Sequence, residues 1–98
     1  MKQHLYEVTV QHLADAQGNP STYCEALQFQ VGNHDDIFKI LEKLQASQLL
    51  DEESTKAFAV GLKLFSEVML ENKELPLFKE FLPQFAQFMK SLKQTVKA

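Results

Sequence analysis

Residues 4 to 13 alternate in character: His4, Tyr6, Val8, Val10 and His12 fall on one side of an extended chain, Leu5, Glu7, Thr9, Gln11 and Leu13 on the other. A period of two with β-branched and aromatic content predicts a strand. DAQGNPS, residues 15 to 21, gathers Asp, Gly, Asn, Pro and Ser and predicts a turn. Beyond it Tyr23, Glu25, Leu27, Phe29 and Val31 alternate with Cys24, Ala26, Gln28 and Gln30, so the two runs predict a β-hairpin over residues 3–31. Centring the reversal near Gln17 and Gly18 pairs Tyr6 with Phe29, Val8 with Leu27 and Val10 with Glu25, which puts the apolar residues of both strands on one face. Two strands alone are marginal in water, so that face needs a cover.

After Val31 the period lengthens to three and four. Ile37, Phe38, Ile40, Leu41 and Leu44 form the stripe of a helix over residues 34–47. Asp51, followed by Glu52 and Glu53, caps and opens a second helix over residues 51–72, whose core set is Phe58, Leu62, Phe65 and Met69. Gly61 in its middle costs about 1 kcal/mol relative to Ala, which suggests close approach of another backbone. Pro76 suits the first turn of a third helical stretch, residues 76–96, and Pro83 predicts that it is broken or kinked. The fold expected is α+β, one domain over residues 1–98, with an N-terminal antiparallel hairpin packed on three α-helices.

Charge narrows the partners. The chain has 98 residues and a net charge of −3, and all ten of its cationic side chains are Lys. Without the guanidinium fork that grips phosphates and guanine edges, and with an acidic balance, the expectation is no nucleic acid. No apolar run is long enough to span a bilayer, and the C-terminal polar face carries Gln beside Lys, so no membrane is expected either. Cys24 stands alone, so an internal disulfide is excluded, and MKQHLYEVTV lacks the apolar run of a signal peptide. The location expected is the cytoplasm.

The one place where His and paired carboxylates meet is NHDD, residues 33 to 36. Asn33 reads as an N-cap, with His34, Asp35 and Asp36 in the first turn, where the unpaired N–H groups favour carboxylates. The chemical alternative is a metal-dependent or acid/base site built on the same three residues. Successive helical positions point about 100° apart, so such a site would need further ligands from the hairpin. His4 and His12 are separated by roughly 27 Å at strand rise and cannot both serve it. His12 and Glu25 instead read as a hydrogen-bonded pair near the turn. Cys24 and the scattered serines lie in no nucleophile context, and the three glycines form no phosphate-cradling loop.

Phe78, Phe81, Phe85 and Phe88 are more than one strip against a two-stranded sheet requires. They read either as core or, with the hairpin's open edge, as an interaction surface for a second subunit or another protein. NHDDIFKILEKL, AVGLKLFSEVMLENKELPLF and FAQFMKSLK together resemble a small bacterial family of about this length, known as a domain of unknown function. The Asn-His-Asp-Asp helix start and the GLKLF-x-EVML segment carry the likeness most clearly. That resemblance implies a stand-alone bacterial domain and transfers no functional residue.

The expectation is therefore a non-enzymatic, self-associating protein-interaction module, a homo-oligomer or partner of another protein. No catalytic residue is named, no cofactor is implied and any metal is unknown. The alternatives are the acid/base or metal site at His34, Asp35 and Asp36, and a small-ligand pocket containing Tyr6, Phe29 and Phe65.

Overall fold

A computed structural model of the chain describes residues 2–97. Two strands come first, β1 (His4–Val10) and β2 (Leu27–Asn33), followed by α1 (Ile37–Ser47), α2 (Glu52–Glu71) and α3 (Pro76–Lys97). This is the α+β order expected. The chain forms two compact units, one ending at His34 and the other beginning at Asp35.

In the first unit β1 and β2 pair antiparallel, with Tyr6 opposite Val31, Val8 opposite Phe29 and Val10 opposite Leu27. The register is displaced by two residues from the symmetric reversal. Because the side-chain period is two, that displacement leaves the same residues on the same face. It arises between the ladder and the tip, where three residues, 11–13, lead to the Ala14–Pro20 bridge and six, 21–26, return from it. Asp15 Oδ1 accepts from the amides of Gln17 (3.0 Å) and Asn19 (2.8 Å), and the Gly18 amide donates to the Asp15 carbonyl at 3.1 Å. Gly18 adopts φ 89°, a conformation that glycine reaches without a Cβ penalty. Ala14 bridges Pro20 beside this turn, after which residues 21–26 return outside the ladder. Tyr23, Cys24, Glu25 and Ala26 are thus not strand residues, and Leu27 takes the place foreseen for Glu25.

The second unit begins with a correction. Asn33 is the last residue of β2, paired with His4, and Asp36 is the N-cap of α1. Asp36 Oδ1 accepts from the amides of Phe38 (3.0 Å) and Lys39 (3.3 Å), so the helix starts at Ile37 and His34 and Asp35 precede it. A capping side chain accepts from amides two or three residues on, and Asn33 lies five and six residues before Phe38 and Lys39 whereas Asp36 lies two and three. The stripe is otherwise as read, with Ile37 and Leu44 buried and Ile40 and Leu41 half-buried, but Phe38 is 69% exposed.

Asp51 caps α2 as expected, accepting from Ser54 N at 2.8 Å, and Thr55 Oγ1 donates to the Asp51 carbonyl at 2.6 Å. Those bonds to the Ser54 amide and side chain hold the Asp51 carboxyl below its usual range. Of the α2 core set, Met69 is fully buried, Phe58 and Leu62 are half-buried and Phe65 is exposed. Between Pro76 and Lys97, α3 is a single helix with Pro83 inside it. The lost amide at Pro83 is one bond in a long ladder, and a row of Phe contacts to α2 holds the helix across it. Phe65 meets Phe78, Phe81 and Phe85, with ring centroids 6.1 to 6.4 Å apart, and Phe58 meets Phe88 at 6.4 Å. A contact order that runs backward along α2 makes the pair antiparallel.

Candidate functional site

The polar site foreseen at His34, Asp35 and Asp36 resolves into separate duties. His34 is exposed and closes the first unit. Asp36 spends its carboxylate on the α1 cap. Asp35 Oδ2 lies 2.7 Å from Lys63 Nζ on α2, with the lysine side chain 13% exposed and the aspartate 32%. Partial withdrawal from water makes this pair stronger than a surface one, and it ties the start of α1 to the middle of α2. One turn beyond Lys63, Glu67 is buried. Lys63 and Glu67 escaped the reading of candidate residues, although a Lys and a Glu four apart in the apolar run GLKLFSEVML were the available signal. Among the described residues no group of three or more His, Cys, Asp or Glu is arranged to hold a metal ion.

Near the hairpin tip, His12 Nδ1 lies 2.6 Å from Ser21 Oγ, and its ring stands edge-on to Tyr23 at 5.1 Å. Ser21, not Glu25, is therefore the polar partner of His12. Asp15 is held below the usual carboxylate range, first by the Asn19 amide and then by the Asn19 side chain. Cys24 is exposed and free. Ser21 Oγ also accepts from the Tyr23 amide at 3.1 Å, so the hydroxyl that meets the His12 ring is held in the turn.

The four phenylalanines divide in two. Phe78 and Phe85 are half-buried in the seam with α2, whereas Phe81 and Phe88 stand exposed at its margin. Shallow depressions lie at the α2–α3 turn, lined by Leu70 to Pro76, and beside the α1–α2 turn, with Gln45, Gln48 and Thr55 among its walls. Neither is lined by Tyr6, Phe29 or Phe65. No helix among the described residues is long and apolar enough to cross a membrane.

An antiparallel hairpin followed by three helices defines the chain as a small α+β domain. It belongs to the family described as a domain of unknown function with a solved structure, DUF3861, which matches residues 4–94. It is similar to a protein of unknown function from Pectobacterium atrosepticum SCRI1043, whose crystal structure was determined at 2.20 Å resolution. The two are 42% identical with a TM-score of 0.81, over 95% of this chain and 99% of that one. No curated protein matches the chain. The likeness read from the sequence holds at the level of the family, and neither description names an activity.

Proposed function

We propose that this chain is a non-enzymatic, self-associating protein-interaction module of the cytoplasm, acting as a homo-oligomer. The observation that carries the reading is an imbalance of burial. Among the described residues only Ile37, Leu44, Ala59 and Met69 are buried apolar side chains, while seventeen large hydrophobic residues are exposed. Single exposed apolar residues are ordinary, but here they are grouped: Val10, Leu27 and Phe29 on one hairpin face, and Phe65, Val68, Leu77, Phe81 and Phe88 on α2 and α3. Contiguous apolar surface of this kind is covered, in soluble proteins, by association.

Light scattering over a wide concentration range tests this directly. A mass that is a multiple of 11.2 kDa is expected; a mass of one chain at the highest concentration overturns the reading. The acid/base or metal site at His34, Asp35 and Asp36 draws less support, because Lys63 and the α1 amides already engage both carboxylates and a cation would have to displace them. A small-ligand site draws less still, since neither of the two depressions named above is lined by Tyr6, Phe29 or Phe65.

A further inference from the structure

We infer that a second copy of this chain packs on the face of the α2–α3 pair that lies away from α1, so that two helical hairpins close as a four-helix bundle. The inference rests on the self-association reading and adds to it a place and a geometry.

At about 100° per residue, Ala57, Gly61, Leu64 and Val68 fall within about 60° of one another on α2, spaced four, three and four. Leu77, Phe81 and Phe88 fall within about 40° on α3, spaced four and seven. Each row lies on the same rotational side of the rings that face the other helix most squarely, Phe58 and Phe65 on α2, Phe78 and Phe85 on α3, and Phe81 and Phe88 also touch Phe65 and Phe58 from the edge of their row. Because the helices are antiparallel, equal rotations bring the two rows to one side of the pair. The opposite side of α2 carries the buried Thr55, Ala59 and Ser66 and, nearby, the Lys63 that binds Asp35 at the start of α1.

This face is apolar and open. Val68 is 45% exposed, Leu77 71% and Phe88 46%, and no charged residue falls in either row. A Cβ added to Gly61 would meet nothing within 4 Å, so the backbone approach expected at this glycine does not occur within the chain. The hollow it leaves between larger side chains is room for a ring from outside. Steps of three and four on α2, and of four and seven on α3, are those of helices that pack at shallow angles in four-helix bundles.

Area and charge choose the occupant. A free Phe side chain presents on the order of 200 Å², and the exposed fractions of the two rows amount to roughly 500 Å² of apolar surface. Two copies together remove roughly 1,000 Å², the lower bound of a specific interface, before the polar rim is counted. The margins carry Glu71 and Glu80, with Glu53 paired to Lys56 at 3.1 Å, whereas Lys79, Lys90, Lys93 and Lys97 lie around the other side of α3. Acidic margins disfavour an anionic membrane or a nucleic acid.

The test replaces Val68→Lys and Leu77→Lys separately, with Val10→Lys and Leu27→Lys as hairpin-face controls, and reads mass by light scattering and helix content by circular dichroism on the full chain. Val68→Lys and Leu77→Lys are expected to weaken dimerisation on the order of a hundredfold, since each strands a charge in a dry interface. The controls are expected to leave the dimer intact. A variant that loses its helical signal is set aside for the other: Leu77, at the start of α3, is the more exposed. Dissociation by the controls and not by the helical variants places the interface on the hairpin and overturns this inference while self-association stands. Dissociation by both sets makes the partner's hairpin the occupant and overturns face-to-face packing. A parent chain that is monomeric throughout overturns both readings together.

Discussion

At the hairpin tip the chain is ordered by polar groups within a few residues of one another: Asp15 collects the Gln17 and Asn19 amides, and His12 meets Ser21. The helical unit is ordered instead by distant apolar contacts, with Ala59 and Met69 fully enclosed and Phe65 meeting three rings of α3. Polar order of the first kind is complete within one copy, because each hydrogen bond closes locally. Apolar order of the second kind is unfinished, because α3 has no buried residue among those described. The tip should be indifferent to protein concentration, and the helices should not.

The largest effect is expected from Met69→Ala, which removes a fully buried side chain and should cost about 2–5 kcal/mol through lost transfer energy and the cavity left behind. Urea unfolding followed through the helical signal measures it; a cost near zero would mean that the helical unit is not organised around this residue. Next comes Lys63→Ala, expected to cost about 1–2 kcal/mol, between the values for surface and buried pairs. A double-mutant cycle with Asp35→Ala isolates the coupling, and additive costs would remove the tether from α1 to α2.

Asp36→Ala should cost about 1 kcal/mol, and Asn33→Ala should not reproduce its fraying of the first turn of α1, a contrast visible in amide exchange at Phe38 and Lys39. Asp35→Asn with Asp36→Asn is expected to leave metal uptake unchanged from that of the parent. Gly18→Ala should cost about 1 kcal/mol, by the strain of a Cβ at positive φ. The smallest effect is acid sensitivity. Asp15 and Asp51 are both held below the ordinary aspartate value, so their stabilisation is present above about pH 4 and fades as pH falls through their lower folded values. Carboxyl titration by NMR checks the direction, and an Asp15 titrating above the ordinary value would contradict the turn geometry.

Much of the fold was legible because its signals are local. Alternation marked both strands, Asp51 with Glu52 and Glu53 marked the start of α2, and Pro76 marked that of α3. What failed depended on context. NHDD offers three residues that can cap a helix, and the choice of Asp36 follows from β2 continuing through Asn33, which alternation alone does not reveal. Residues 21–26 alternate like a strand, yet they are six residues opposite the three of 11–13 between the Ala14–Pro20 bridge and the ladder, and they lie outside the pairing. The partnership of Asp35 with Lys63 joins segments far apart in sequence, and only the packing of α1 on α2 brings it about. The division of the phenylalanines into seam and margin was likewise invisible, since spacing shows a stripe but not where its edge meets solvent.

The central claim is that apolar surface left open in one copy is closed by another, and its most direct test is the melting temperature of the unaltered chain as a function of its own concentration. Association that accompanies folding stabilises by mass action, so a rise of several degrees between about 1 and 100 μM is the expected result. A melting temperature that stays constant over that range would contradict the account.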